Sequence, residues 1–385
     1  MVSRADRSRF AEWFWTVDHY LLAAFGLLMV SGVVLSFAAS PPVAERIGLD
    51  SFYFVKRQAM FLIPSVIIII GASLLSPRLI RRAALLTFIG AIILLVATLF
   101  FGFETKGARR WIYIAGVSVQ PSEFLKPAFV IIIAFLLSES GRRREVPGVL
   151  FAFFLFVICA ALLIAQPDFG QTMLLGAAWA ALFFLNGLSW VLISALGIIG
   201  VVGLVAAYAF LPHVTDRVDR FLDPDSGDTF QVDTAMDAFI SGGWFGQGPG
   251  EGTVKRILPD SHADFVFAVV AEEFGAIACI LLVSVFAFIV IRGLMHATRE
   301  QDAFARLATA GLTVLFGLQA TINLAVNLNL IPPKGMTLPF VSYGGTSIIS
   351  SAMLAGALLA LTRSRPRPSR SDVVTVSRLS PSSLM

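Results

Sequence analysis

The sequence predicts an all-α, polytopic membrane protein of ten transmembrane helices. Three observations predict it. Hydrophobic residues make up 57% of the 385-residue chain and charged residues only 14%, against about 25% charged in soluble domains. Apolar stretches near the ~20 residues that cross a bilayer recur along nearly the whole length. The basic residues gather in the segments between them, which is the pattern of membrane topology.

The spans follow in order. A tail, residues 1–17, carries Arg4, Arg7 and Arg9 and leads into the apolar stretch 18–39. That stretch is longer than the roughly 7–15 apolar residues of a signal peptide, so it reads as a retained span despite Ala38-Ala39-Ser40 at its end. Runs at 59–76 and 83–103 come next, then 121–138, opened by Pro121, which suits the first turn of a helix. The runs 148–165 and 169–187 are joined by the short turn QPDFGQT, and 190–210 follows. One long connection, 211–262, precedes the last three spans, 263–291, 305–330 and 341–362. Connections of that length carry function or are unstructured. Its apolar and Gly-rich stretch AFISGGWFGQGPGEG argues for partial order against the membrane. Residues 18–362 thus read as one membrane domain, and 363–385, rich in Arg, Pro and Ser, as a disordered tail.

The Lys/Arg bias orients the chain with both termini cytoplasmic. Seventeen basic residues fall inside: Arg4, Arg7, Arg9, Arg78, Arg81, Arg82, Arg142, Arg143, Arg144, Arg292, Arg299, Arg306 and five tail arginines. Eleven fall outside: Arg46, Lys56, Arg57, Lys106, Arg109, Arg110, Arg217, Arg220, Lys255, Arg256 and Lys334. Lys126 lies within a span. Eleven is more than the positive-inside rule encourages, and an anionic ligand would account for the excess; snorkelling toward headgroups is the plainer account. The distribution argues against nucleic-acid binding despite a pI near 9.3. Cys159 and Cys279 both sit in apolar runs and read as buried free thiols.

Several motifs interrupt the apolar pattern. In GARRWIYIAGVSVQPSEFLK, Arg109 and Arg110 sit beside Trp111 at the outer boundary, where paired guanidinium forks suit phosphate oxygens. Ser122 and Lys126 are four apart on one helix face, with Glu123 beside them, and a lysine inside a membrane marks a site by default. A structural pair with Glu123 or another buried acid is the competing account. The Ser122–Lys126 spacing is one residue too long for a serine–lysine nucleophile pair. Gln166 and Asp168 of QPDFGQT serve either to cap the turn or to orient a site. GQGPGEG resembles a phosphate loop only superficially, because no strand precedes it. In IPPKGMTLPFVSYGGTS, Pro and Gly break the backbone at the edge of the last span. Such backbone is tolerated only where it is buried or lines a cavity, which Lys334, Ser342 and Tyr343 would then border. The stretch PDSHADFVFAVVAEEFG sets His262 and Asp264 at the start of a span. N-capping by Asp260, Ser261 or Asp264 is one reading. Glu272 and Glu273 lie two to three turns deeper and are expected to pair with basic groups of other spans.

Taken together these segments resemble the SEDS family (shape, elongation, division and sporulation) of peptidoglycan polymerases. The resemblance rests on GARRWI…QPSEFLK, QPDFG, RVDRFLDP…TFQVDTAMDAF, GQGPGEG, LPDSHADFVFAVVAEEFG and PPKGMTLPFVSYGGTS, in family order over about residues 15–362. The wording around Lys334 is similar to the division-type branch, and GPGEGTVKRILPD to its alphaproteobacterial members. Ala263 and Gln171 depart from the family's usual residues, without loss of a titratable group.

The resemblance implies polymerisation of lipid II, an undecaprenyl-pyrophosphate-linked disaccharide-peptide, with Asp264 as the essential acid. A β-1,4 product from an α-linked donor requires one inverting displacement, so a single base for the acceptor hydroxyl is sufficient. Arg109, Arg110, Trp111, Ser122, Glu123, Lys126, His262, Lys334, Ser342 and Tyr343 are expected to bind substrate. Cationic side chains, with a divalent cation (magnesium or manganese) as a further option, would neutralise the leaving pyrophosphate. Implied partners are lipid II and the nascent glycan strand, a class B penicillin-binding transpeptidase (FtsI-like) and other division proteins. The implied location is the inner membrane at the septum, with the site facing the periplasm. A lipid II flippase and an elongation-type polymerase are the competing readings.

Overall fold

The computed structural model describes residues 8–105, 108–114, 116–143, 145–223 and 229–364. Arg4, Arg7, Lys106, Arg144 and the chain beyond Ser364 lie outside the described residues. A helix stands at each of the ten expected positions: α2 (His19–Arg46), α3 (Tyr53–Ser73), α4 (Pro77–Phe101), α5 (Pro121–Arg142), α6 (Gly148–Ala165), α7 (Phe169–Leu185), α8 (Trp190–Phe210), α11 (Val266–Arg299), α12 (Ala303–Asn327) and α13 (Gly345–Leu361). Eight of them are long and apolar enough to cross a membrane, so the chain is a multi-pass, helical membrane protein. The other two, α7 and α13, have 17 residues each. At 1.5 Å per residue they reach only about 25 Å of a hydrocarbon core about 30 Å thick.

Two elements depart from the sequence expectation, a helix in the N-terminal tail and a sheet after α4, while the long connection is ordered in part as expected. The N-terminal tail contains a helix, α1 (Arg9–Thr16), whose N-cap Ser8 accepts from Ala11 N at 3.2 Å. Its Trp13 is buried, and Nε1 donates to Ser73 Oγ at 2.7 Å. Between α4 and α5 lies a three-stranded antiparallel sheet, β1 (Phe103–Thr105), β2 (Ala108–Ile114) and β3 (Val117–Val119), in that order. Phe103 stacks on Tyr113 across it, with centroids 4.5 Å apart. The long connection holds α9 (Pro212–Leu222), α10 (Phe230–Gly242) and a 3-10 turn at Val254–Arg256. At the other boundary, Arg363 and Ser364, expected in the disordered tail, bond to Thr16 Oγ1 and Thr16 O. The two ends of the described chain therefore meet at one end of the bundle.

Lipid is as apolar as a leucine side chain, so close packing holds such helices together. Gly32 lets α2 meet the segment before α13: a Cβ there would stand 2.1 Å from Phe340 O. Phe25, Phe316 and Phe340 form a central aromatic cluster, with centroid separations of 5.7 and 5.9 Å from Phe25. Each edge contact contributes about 0.5–1.5 kcal/mol beyond the area it covers.

The helix α11 is broken at Gly275 (φ 76°, ψ 179°). The backbone groups released by the break are taken up by the loop after α10. Gln247 N and Gly248 N donate to the Glu272 and Glu273 carbonyls, at 2.8 and 3.1 Å. Ala276 N and Ile277 N donate to Gly243 O and Trp244 O, at 2.9 and 3.3 Å. The same loop also contacts both buried acids. Glu272 accepts from Val254 N (2.7 Å) and Lys255 N (2.9 Å), and Glu273 pairs with Lys255 Nζ. The expected partners in other spans are thus replaced by one loop, because that loop is folded against the helix. A Cβ on Gly275 would meet Trp244 O at 2.4 Å in a left-handed conformation. Gly275→Ala is expected to destabilise the fold by more than about 1 kcal/mol, read as a lower midpoint of thermal unfolding in detergent.

Candidate active site

The end of the bundle opposite the two described chain ends holds a cavity of about 850 Å³. It is bordered by the first turns of α3 and α5, by β2, by α9 and α10, by residues 260–265 ahead of α11, and by the broken segment 333–347. Its lining is divided between polar and apolar groups. Asp264 faces it, and a Cβ placed on Gly335 would stand 3.5 Å from Asp264 Oδ2. The carboxylate therefore rests against the segment that carries Lys334. The N-cap of α11 falls on Phe265 without a side-chain capping bond, so the capping reading of the acids at 260–264 is not carried out at that position.

Six of the sequence-expected residues line this cavity with Asp264: Arg110, Trp111, Glu123, His262, Lys334 and Tyr343. The His262 ring forms a three-ring cluster with Phe54 (4.3 Å) and Tyr343 (5.4 Å), and its carbonyl accepts from Tyr343 N at 2.9 Å. Lys334 Nζ reaches Met173 Sδ at 3.1 Å. Burial, and then Arg217, push the Lys334 ammonium below its ordinary pKa.

Four expected residues are placed elsewhere. Arg109 is half-exposed beside Glu104 at 3.7 Å. Lys126 lies behind the cavity wall, buried, donating to Glu123 Oε1 (2.9 Å) and Gln319 Oε1 (3.0 Å). That is the structural pair weighed above, extended to a second helix by Gln319 of α12. Ser122 is buried on the same helix. Ser342 Oγ accepts from Leu338 N at 2.8 Å and closes the turn before α13. Arg110, though at the cavity, spends its donors on the QPDFG turn: Nε to Gln166 O at 3.3 Å, Nη2 to Pro167 O, and Nη1 3.9 Å from Asp168 Oδ1. Burial raises the pKa of Asp168, and the Arg110 guanidinium counters it.

Three further cations line the cavity: Arg57 on α3, and Arg217 and Arg220 on α9. Among the described residues, neither these three nor Lys334 is matched to a carboxylate in an ion pair. Burial lowers the pKa of Arg217, and the positive charge of Arg110 lowers it further. Arg57, Arg110, Arg217, Arg220 and Lys334 thus share the cavity lining with the carboxylates Glu123, Asp233, Asp260 and Asp264. Composition had counted these arginines only as part of an outer excess. The signal that could have singled two of them out is the RVDR spacing, which sets Arg217 and Arg220 on one face of a helix. Among the described residues, no group of three His, Cys, Asp or Glu is arranged to hold a metal ion.

The family model for FtsW, RodA and SpoVE, described as cell cycle protein, matches residues 18–366. The chain belongs to this family. A protein of Caulobacter vibrioides named probable peptidoglycan glycosyltransferase FtsW is 47% identical over 367 residues, covering 94% of each chain. One of the same name from Trichlorobacter lovleyi is 34% identical over 350 residues, covering 89% of this chain and 92% of that one. Among solved structures, one described as the structural coordination of polymerization and crosslinking by a peptidoglycan synthase complex superposes with TM-score 0.74. It is 25% identical and covers 90% of this chain and 97% of that chain. The rod shape determining protein RodA of Thermus thermophilus superposes with TM-score 0.65 at 25% identity, covering 91% and 98%. The SEDS resemblance read from the motifs is borne out, and the FtsW-named relatives lie nearer in identity than the RodA structure does.

Proposed function

We propose that the chain is a peptidoglycan glycosyltransferase that polymerises lipid II into β-1,4 glycan strands at the division septum. The observation that carries this reading is the Asp264 carboxylate facing a cavity lined by four cations that form no close ion pair among the described residues. The relatives' names and the family membership support it. All ten helices cross the membrane, with α7 and α13 the shortest of them. An even number of crossings agrees with the meeting of the two described ends. Those ends are cytoplasmic, and the cavity opens to the periplasm.

In this reading the acceptor's 4-hydroxyl gives its proton to the Asp264 carboxylate as its oxygen attacks C1 of the donor sugar. The new C1–O4 bond forms as the bond from C1 to the pyrophosphate oxygen breaks, with inversion. The leaving undecaprenyl pyrophosphate departs as an anion, so it needs charge neutralisation and no proton. Lys334, Arg217, Arg220 and Arg57 supply that charge. A divalent cation would add to it, held by the substrate's phosphates with Asp264 at most. A class B penicillin-binding transpeptidase is the proposed partner, on the strength of the synthase-complex neighbour. Purified chain in detergent, given labelled lipid II, is expected to yield glycan polymer. Transbilayer movement of lipid II in vesicles with no polymer formed would establish the flippase reading instead.

The lowered pKa of Lys334 gives a pH signature. Lysine is charged below its pKa, so its hold on an anionic lipid is lost earlier on raising pH than for an ordinary lysine. The KM for lipid II is expected to climb on the alkaline side, and Lys334→Arg is expected to push that climb to higher pH.

A further inference from the structure

On α12, Gln319, Asn323 and Asn327 are spaced by four and share one face. All three are buried. Amides inside a membrane bundle are costly unless bonded, so what they hold is informative. Gln319 Oε1 accepts from Lys126 Nζ at 3.0 Å, while its Nε2 donates to Thr337 O at 3.2 Å. Asn323 Nδ2 donates to two carbonyls at once, Asp264 O at 3.0 Å and Met336 O at 2.6 Å. Asn327 Nδ2 donates to Asp264 O at 2.9 Å, and its Oδ1 accepts from Ala268 N at 3.1 Å.

The Asp264 carbonyl thus receives two donors from one helix, which fills both of its lone pairs. One of those donors, Asn323, also grips the backbone two residues beyond Lys334. Through Asn323, α12 joins the acid to the cation-bearing segment. We propose that Asn323 is a positioning residue for Asp264, with Gln319 and Asn327 as its supports, setting the carboxylate's place relative to the Lys334 segment. This rests on the reading of Asp264 as general base. The ladder also ties the site to the Glu123–Lys126 pair, which gives that buried lysine a supporting role at a distance from substrate.

The test uses the purified full-length chain and labelled lipid II. Asn323→Ala is expected to lower kcat on the order of 100-fold, the scale of a misplaced catalytic group, with KM changed less than about threefold. Asn323→Asp keeps the volume and removes both N–H donors, so it is expected to match the alanine variant where alanine alone impairs folding. The deciding measurement is a double-mutant cycle. If Asn323 acts through Asp264, adding Asn323→Ala to Asp264→Asn lowers the residual rate no further. A double variant that loses the whole Asn323 factor again would overturn the inference, as would a kcat that is unchanged once folded protein is counted. An Asp264→Asn enzyme with full activity would instead sink the general-base reading, and the inference with it.

Discussion

Asp264→Asn is expected to reduce lipid II polymerisation by about 10²–10⁴-fold, the range contributed by a general base. The substitution keeps the size of the side chain and leaves the Asp264 carbonyl on Asn323 and Asn327. Folding and lipid II binding should therefore survive while turnover does not. The measurement is the length and yield of glycan strands made from labelled lipid II, beside the thermal unfolding midpoint of the same preparation. Losing a negative charge from a cavity rich in cations should, if anything, tighten the hold on pyrophosphate. A fall in kcat with KM steady or lower is the expected signature. A rate within tenfold of the parent would show that another group takes the acceptor's proton.

The second large effect concerns Lys255. Composition placed it among the outer basic residues open to an anionic ligand, but its side chain is 5% exposed and lies against a fully buried Glu273. Removing one partner of a buried ion pair leaves the other without compensation, at a cost of about 3–5 kcal/mol. Lys255→Met is expected to lower stability by that amount, measured by thermal unfolding in detergent. The Lys255→Met/Glu273→Leu pair should recover part of the loss, because the stranded charge is then gone. Recovery separates an ion-pair effect from simple loosening of the loop.

What the sequence could and could not tell follows from range. Helix positions were legible because about twenty apolar residues in a row have one use in a membrane protein. Asp264, Lys334 and the broken segment between α12 and α13 stood out because charge and proline are expensive there. The sheet at 103–119 was missed, since its longest strand, ARRWIYI, reads equally well as an interfacial anchor. Partners were missed where they are distant in sequence. Lys126 meets Gln319 across 193 positions, and Asp264 meets Asn323 across 59. Nothing local to LFGLQATINLAVN distinguishes a ladder of amides from polar residues lining a pore. Arg110 shows the converse: its motif suited phosphate, but the turn at 166–168 claims its donors first.

The break at Gly275 bears on how the protein is made. It lies roughly 14 Å into α11, and a backbone opened at that depth cannot face lipid without losing several kcal/mol for each unbonded group. Its substitutes come from residues 243–248, which leave the ribosome about thirty positions earlier. The loop is therefore already synthesised when the helix needs it, and in that order no unsatisfied intermediate has to wait. Helix and loop are one hydrogen-bonded unit, in which the break is satisfied only when residues 243–248 are packed against it.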